Sequence, residues 1–238
     1  MQVNYYTPKE PWKDFEEAYV NIRNKEGRIV SDEQLRDLPF LPAEHPLYKE
    51  WKLRAFSFDR FKRFIPKKSS VLDLGCGNGW MTAQIADLGN QVVGVDVNEP
   101  ELVQAARVFN NPNISFAFAD VFIWEPEQSF DLVIIASAIQ YFPSPKDLLK
   151  RLFDVNKTLS KIIISDSPFY AGGEKQLALE RSKNYYENND VKDMGKHYYH
   201  HSLTDLGFNF KYIYSPMPKW IRRFATFSPF PIIEISRP

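Results

Sequence analysis

Three glycines that alternate with other residues directly after a short apolar run constrain the fold more than any other feature of the chain. Gly75, Gly77 and Gly79 follow the run that opens at Val71, and a helix-like segment begins at Trp80. Glycine tolerates positive φ angles and lets a ligand approach the backbone. The N-terminus of the following helix offers free amides and a partial positive charge. The pattern therefore predicts a strand, a ligand-binding loop and a helix, and a tight turn without a ligand is the less favoured alternative.

An acidic residue closes the next apolar run. Asp96 ends the segment 91–97, about 20 residues beyond the glycines. A carboxylate at this place in a nucleotide-binding α/β fold typically accepts hydrogen bonds from ribose hydroxyls. The alternative, a polar turn residue at a strand end, is less favoured here. The loop and the acid together predict a site for a nucleoside-containing ligand.

Two details of the loop argue against a dinucleotide. Trp80 stands where a dinucleotide-binding fold usually has its third glycine, which lets the helix pack closely beneath a pyrophosphate. Asp73 lies two residues before Gly75. A carboxylate in the loop repels a pyrophosphate but attracts an ammonium group.

Strands and helices alternate along the middle of the chain. The first predicted strand opens at Val71 and Leu72 and ends at the glycines. The next predicted strands are 91–97, 114–119, 131–136 and 161–165, and the predicted helices are 80–88, 100–109 and 144–159. This alternation is typical of βαβ units with a parallel sheet. Two further strands, 208–214 and 231–236, have no helix-length amphipathic segment between them. We therefore expect an α/β, Rossmann-like, seven-stranded and mostly parallel sheet with helices on both faces and a closing antiparallel hairpin.

The N-terminal part of the chain has a different character. Residues 1–45 are polar, aromatic and interrupted by prolines, a helix is expected to start near Pro11, and Ser31–Gln34 has the capping-box pattern of a helix start. Apolar residues then recur at steps of three and four: Leu47, Trp51, Ala55, Phe58, Phe61 and Ile65. Such spacing predicts one face of a helix. We expect an N-terminal helical cap, residues 1–50, and a ligand-binding domain, residues 51–238.

Composition limits the classes of partner. The formal net charge is +0, so no overall field attracts nucleic acid or an acidic membrane. Cys76 is the single cysteine, which excludes a disulfide within the chain and argues against a cysteine-based zinc site. The first residues lack the pattern of a signal peptide, and no apolar run approaches the roughly 20 residues that span a bilayer. We expect a cytoplasmic protein with no membrane partner and no metal.

Four segments resemble motifs of the class I S-adenosylmethionine-dependent methyltransferases. Val71–Gly79 resembles their E/DxGxGxG signature, with Asp73 as its acid, and Asp96 matches their ribose-binding acid. Ala119–Val121 resembles the loop whose Asp reaches the adenine amino group. Phe130–Phe142 resembles the fourth-strand motif, whose loop lies beside the methionine end of the cofactor. The last two strands are similar to the closing hairpin of the family, so the resemblance covers about residues 50–238.

The resemblance implies S-adenosylmethionine as the cofactor. It also implies a set of binding residues in the loop and at the strand ends: Asp73, Gly75, Cys76, Gly77, Asn78, Gly79, Asp96, Val97, Asp120, Val121, Ala136 and Ser137. Many relatives carry an acid and a histidine after the fourth strand. Here Ser137, Gln140 and Tyr141 occupy those positions, so this motif assigns no base.

The candidates for the acceptor side follow the fifth strand. In-line methyl transfer depends mainly on positioning, and a general base is needed only for an acceptor that arrives protonated. Asp166 and Tyr170 lie just beyond the carboxyl end of the strand, where open α/β sheets bind ligands. Residues 197–201 hold three of the four histidines. We select His200, His201 and Tyr170 as candidate catalytic residues, and a purely structural aromatic segment is an equal alternative for the histidines.

The resemblance predicts methyl transfer from S-adenosylmethionine to an O, N or C atom of a small or medium-sized acceptor. The first alternative is an RNA or protein methyltransferase, which requires the basic stretches Arg60–Phe64 and Lys219–Phe224 to share one face. A non-catalytic binding subunit is opposed by the intact loop. A nicotinamide-dependent oxidoreductase is opposed by the loop spacing and by Asp73. Nucleic acid is not the expected partner, and the sequence assigns no oligomeric state.

Overall fold

A single eight-stranded sheet organises the protein, whose computed structural model describes residues 1–222 and 227–237. The strands are β1 Val3–Tyr5, β2 Ser70–Leu74, β3 Gln91–Asp96, β4 Ile114–Phe118, β5 Leu132–Ala136, β6 Lys161–Ser165, β7 Phe210–Tyr214 and β8 Ile232–Ser236. The helices are α1 Lys13–Lys25, α2 Asp32–Asp37, α3 Tyr48–Phe61, α4 Trp80–Ala86, α5 Glu99–Val108, α6 Pro145–Val155, α7 Glu174–Asn188 and α8 Lys219–Arg222.

The order of the strands is β1-β4-β3-β2-β5-β6-β8-β7. All pairs from β1 to β6 are parallel, whereas β8 runs antiparallel to both β6 and β7. The predicted α/β class, the mostly parallel sheet and the closing hairpin are confirmed. Because the order reverses beside β2, the carboxyl ends of β2, β3 and β5 flank a crevice of the kind in which open sheets bind ligands.

One strand was not predicted, so the sheet has eight strands instead of seven. Val3–Tyr5 pairs with Phe116–Phe118 of β4 at the edge of the sheet. Asn4 and Tyr5 are exposed, and the strand is only three residues long, so it carries no readable alternation. This segment forms a strand because it pairs with the edge of β4, and not because of a local sequence pattern.

Two apolar layers cover the faces of the sheet. Val71 belongs to the layer beneath α3, α4 and α5, and Leu72 belongs to the layer beneath α6. Successive side chains of a strand point to opposite faces. Asp73 therefore points to the same face as Val71, towards α4.

The N-terminal helices form largely as their sequence indicates. Ser31 accepts a hydrogen bond from the Gln34 amide, and the Gln34 side chain accepts one from the Ser31 amide, which confirms the capping box of α2. Trp51, Phe58 and Phe61 of α3 are buried, as the spacing predicts. α3 is therefore held by its apolar face against the sheet.

α1 and α7 lie over the carboxyl ends of the strands. Phe15 and Ile22 of α1 form a small cluster with Tyr186 of α7 and Met194, and Val97 packs against it. The helix α7 buries only two residues, so its sequence lacks the apolar periodicity that would have predicted it. Across the described ranges, no helix is long and apolar enough to cross a membrane.

Candidate cofactor and acceptor site

The glycine loop takes the left-handed backbone that the sequence predicts. Gly75 has a φ of 73°, and a Cβ there would lie 2.4 Å from Ala138 Cβ. Gly77 has a φ of 52°, and its Cβ would lie 2.8 Å from Glu101 Oε2, at the edge of a cavity. The first glycine is thus needed for packing between strand ends. The second keeps space open beside the loop.

Asp96 ties the loop to the end of β3. Its carboxylate accepts hydrogen bonds from the amides of Gly77 at 2.8 Å, Val97 at 2.7 Å and Asn98 at 2.9 Å. Burial raises the pKa of Asp96, although these three bonds oppose the shift. The carboxylate is therefore positioned beside the loop, and its remaining lone pairs are available to a hydroxyl-bearing ligand.

Asp73 lies beneath the loop. Its side chain is buried and accepts a hydrogen bond from the Thr82 hydroxyl of α4 at 2.6 Å. Burial raises the pKa of this carboxyl to about 7. Asp73 and Gly79 are absent from the described linings of the two cavities beside the loop, so they support the loop from below.

The first cavity lies between the loop, the ends of β3 and β4, and α1. It has a volume of about 100 Å³. Seven of the predicted cofactor-binding residues line it: Gly75, Gly77, Asp96, Val97, Asp120, Val121 and Ser137. An aromatic wall completes it with Trp12, Phe15, Tyr19, Tyr141 and Phe142, beside His197. The sequence did not predict that Trp12, Phe15, Tyr19 and His197 line this cavity. No local pattern indicates that these distant segments reach the loop.

The second cavity adjoins the first and has a volume of about 480 Å³. Gly75, Gly77, Ser137, Tyr19 and Tyr141 line both cavities. The predicted residues Cys76, Asn78 and Ala136 line the second one. Many of its other side chains are charged or carry an amide, namely Arg23, Arg28, Glu50, Arg54, Glu101, Gln140 and Asp166. A pocket with an aromatic wall and a polar pocket therefore meet at the loop.

A bridged ion cluster forms one wall of the second cavity. Glu50 contacts Arg54 at 2.9 Å through one oxygen and Arg28 at 3.0 Å through the other. Burial opposes the charge on Glu50, but the two guanidinium groups outweigh it and lower the pKa of the carboxyl. Arg54 also donates to Ser137 Oγ at 3.0 Å, next to the loop. Arg54 is thus hydrogen-bonded to a residue that lines both cavities.

Asp166 follows β6 at the inner end of the same cavity. It is a non-glycine residue with a φ of 51°, and Ser137, which follows β5, has a φ of 54°. Such backbone is uncommon outside glycine and often occurs at functional sites. One oxygen of Asp166 accepts from Ser57, whereas the buried Oδ2 has no partner among the described residues. Burial raises the pKa of the Asp166 carboxyl to about 6.

The candidate catalytic residues do not line the two cavities. Neither His200 nor His201 is among the described residues that line them. His200 contacts Ser182 at 2.9 Å, and His201 contacts the Phe142 carbonyl at 3.0 Å. Burial lowers the pKa of both imidazoles. Tyr170 lines a separate cavity near the closing hairpin. The catalytic roles of these three residues stay predictions, and within the described ranges no cluster of potential metal ligands occurs.

The fold and the site define an α/β protein with two adjoining cavities beside a glycine loop, at a topological switch point of its sheet. Residues 71–158 match the family model of a methyltransferase domain. This match covers β2 to α6, including the loop and Asp96. This match supports the class I S-adenosylmethionine-dependent methyltransferase family that the sequence motifs predict. S-adenosylmethionine, the cofactor that the sequence predicts, agrees with this match.

Curated relatives share this core over part of their length. The chain is 39% identical over 85 residues to a trans-aconitate 2-methyltransferase of Methylobacterium radiotolerans, covering 35% of the chain and 32% of the relative. It is 31% identical over 108 residues to a ubiquinone biosynthesis O-methyltransferase of Xanthomonas axonopodis, covering 43% of the chain and 45% of the relative. The chain thus spans less than half the length of these two relatives.

A solved structure shows the same fold over most of the chain. The magnesium protoporphyrin IX methyltransferase of Synechocystis, solved with bound S-adenosylhomocysteine, superposes with a TM-score of 0.54 at 16% identity. The superposition covers 84% of this chain and 91% of that one. None of these comparisons favours an RNA or protein methyltransferase, and residues 223 and 224 of the second basic stretch lie outside the described residues.

Proposed function

We propose that the protein transfers the methyl group of S-adenosylmethionine to an O, N or C atom of a small or medium-sized acceptor. The observation that carries this proposal is the junction of the two cavities at the loop, where Gly75, Gly77 and Ser137 line both. A cofactor bound across this junction supplies an activated methyl group, and the adjoining space can hold an acceptor in line with it. The names of the curated relatives, a trans-aconitate and a ubiquinone-pathway methyltransferase, agree with a small-molecule acceptor.

The first cavity is proposed to hold the adenosine part of the cofactor. Asp96 accepts the ribose hydroxyls, and Asp120 and Val121 approach the adenine. The loop leaves room for the adenosine, since a Cβ at Gly77 would occupy space beside both cavities. Trp12 and Phe142 of the lining supply flat apolar surfaces, which suit a purine ring.

The methionine end of the cofactor is proposed to lie along the loop. The residues concerned are Gly75, Cys76, Gly77, Asn78, Gly79, Ala136 and Ser137, with Asp73 supporting the loop from beneath. Arg54 donates a hydrogen bond to Ser137, which is one of these residues. It is therefore proposed to face the carboxylate of the methionine moiety.

The acceptor is proposed to occupy the second cavity. Residues 1–50 act as a cap on the domain formed by residues 51–238, since Tyr19 and Arg23 of α1 line this cavity. Asp166 is the carboxylate best placed to accept a proton there, because its free oxygen lies in a residue that lines the cavity. His200, His201 and Tyr170 are kept as predicted catalytic residues only for an acceptor large enough to extend beyond this space.

The test measures cofactor-product binding. Asp96→Asn preserves the size of the side chain but removes its charge, so the affinity for S-adenosylhomocysteine should fall by roughly 30- to 1000-fold, or about 2–4 kcal/mol. Titration calorimetry with S-adenosylhomocysteine and with NADH separates the methyltransferase from an oxidoreductase.

Asp131→Asn is the matched control. Asp131 also accepts a backbone amide bond, from Ser70 at 2.9 Å, but it lies at the opposite end of the sheet. The control variant should bind S-adenosylhomocysteine as the unmodified protein does. Equal affinity in the Asp96 and Asp131 variants would overturn the assignment of the ribose site.

A further inference from the structure

Polar atoms without partners gather in the second cavity. Four buried atoms there make no hydrogen bond to the described residues: Arg23 Nε, Arg54 Nε, Gln140 Oε1 and Asp166 Oδ2. Buried polar groups in folded proteins are nearly always paired. Their concentration along one lining indicates that a polar guest completes this cavity.

Arg23 is the guanidinium of this cavity that makes no ion pair with a described residue, although Glu101 of the same lining interacts with it electrostatically. Arg28 and Arg54 share Glu50, whereas no carboxylate of the described residues lies within 4.0 Å of Arg23. The Arg23 guanidinium instead lies over the ring of Tyr19, 5.4 Å from its centroid. A partly buried cation without a partner is costly, so its position favours an anionic ligand.

The place of Arg23 distinguishes it from Arg54. Arg54 is bonded to Ser137 beside the loop. Arg23 lines the second cavity and also an adjoining cavity of about 390 Å³, whose described lining contains Tyr186 and Arg181 but no residue of the glycine loop. Arg23 also lines a third cavity, of about 220 Å³, together with Asn78 of the loop. Unlike Arg54, Arg23 makes no hydrogen bond to the described residues at the strand ends, so its guanidinium is available to a guest in the acceptor space.

The walls around Arg23 are aromatic. Tyr19, Tyr141 and Tyr198 line both the second cavity and the adjoining one. The hydroxyls of Tyr19 and Tyr198 make no hydrogen bond to other described residues, and these groups can donate to an anion. The surroundings therefore suit a ligand with a flat apolar body and a charged end.

We propose that Arg23 binds a carboxylate of the methyl acceptor, whose body lies among Tyr19, Tyr141 and Tyr198. This assignment rests on the proposed function, because it takes the second cavity as the acceptor space. The planar guanidinium matches a carboxylate through two parallel hydrogen bonds. A carboxylate adds one negative charge opposite the guanidinium that makes no ion pair, whereas a phosphate dianion would add two beside Glu50 and Glu101 of the same lining.

The experiment measures the preference for an acid over its neutral amide. Protein saturated with S-adenosylhomocysteine is titrated by calorimetry with trans-cinnamate against trans-cinnamamide, and with succinate against succinamide. We expect one acid or both to bind at least about tenfold more tightly than the matching amide, as one charge-assisted pair predicts.

Three variants locate the effect. Arg23→Gln should abolish the preference for the acid, and Arg23→Lys, which keeps the charge but not the fork, should retain part of it. Arg36→Gln replaces an exposed arginine of α2 and should leave the preference unchanged. All three variants should bind S-adenosylhomocysteine within about twofold of the unmodified protein, which also shows that they fold.

Several results would overturn the proposal. These are acids that bind no better than amides, acids that fail to bind below about 10 mM, or a preference that persists in Arg23→Gln. A loss of S-adenosylhomocysteine affinity in Arg23→Gln, with methylthioadenosine affinity unchanged, would assign Arg23 to the cofactor carboxylate instead. If the unmodified protein fails to bind S-adenosylhomocysteine, the proposed function fails, and titration of acids without it still tests the site at Arg23.

Discussion

Gly77→Ala tests whether the loop is shaped for a ligand or only for a turn. Gly77 lines both cavities and has a φ of 52°. A Cβ there would meet Glu101 Oε2 at 2.8 Å, and the next atom of that side chain at 3.7 Å. Because Glu101 Oε2 is the end of a flexible side chain, the folded protein can accommodate the methyl group by moving it. The methyl group and the displaced carboxylate then both occupy cavity space.

The stability cost and the binding cost of this substitution are separable. A left-handed alanine costs roughly 1–2 kcal/mol of the free energy of unfolding. Gly27→Ala is the matched control, since Gly27 has a φ of 64° and no heavy atom within 4 Å of its Cβ position. The two variants should therefore lose similar stability. Only Gly77→Ala should weaken S-adenosylhomocysteine binding, by about 1–3 kcal/mol or roughly fivefold to 150-fold, the usual range for an overpacked site.

Urea denaturation and titration calorimetry measure the two costs. Gly75→Ala supplies a third point, because its Cβ would lie 2.4 Å from Ala138 Cβ, an atom fixed directly to the backbone. That variant should lose more stability than Gly77→Ala. Binding within twofold of the unmodified protein for Gly77→Ala, with the stability loss of Gly27→Ala, would refute the assignment of the loop to the cofactor.

Two further predictions concern buried carboxyl groups. Burial raises the pKa of Asp73 to about 7 in the folded protein, above its value of about 4 in the unfolded chain. The protein therefore has its full free energy of unfolding below about pH 4 and loses part of it as the pH rises to about 7. Asp73→Asn, which still accepts from Thr82, should gain roughly 3–4 kcal/mol relative to the unmodified protein between about pH 4 and pH 8; a pH-independent difference in urea denaturation would contradict this. Ser57 donates a hydrogen bond to Asp166, and burial raises the pKa of this carboxyl to about 6. Ser57→Ala should therefore lower the free energy of unfolding by about 1–3 kcal/mol, and by more at about pH 8, where Asp166 is ionised, than at about pH 5. Ser144→Ala, which removes only the helix cap of α6, should cost about 1 kcal/mol at both pH values, and equal pH profiles for the two serine variants would disprove the coupling.

The central sheet was predictable because its signals are local. The predicted strands 91–97, 114–119 and 161–165 correspond to Gln91–Asp96, Ile114–Phe118 and Lys161–Ser165. Each is a short apolar run that is buried on both faces, and such a run can be recognised as a strand from its own residues alone. The strand Val3–Tyr5 and the helix Glu174–Asn188 were missed, because their few buried residues form no periodic pattern.

The sequence by itself determined the side of the site that is proposed to hold the nucleoside. Gly75, Gly77 and Asp96 belong to one strand–loop–helix–strand unit, so their spacing along the chain sets their spacing in space. The polar side was decided by tertiary structure alone. Arg54 meets Ser137 across 83 residues of chain, and Ser57 meets Asp166 across 109. No local pattern encodes such contacts, because they depend on where the packing of α1 and α3 against the sheet places side chains from distant segments.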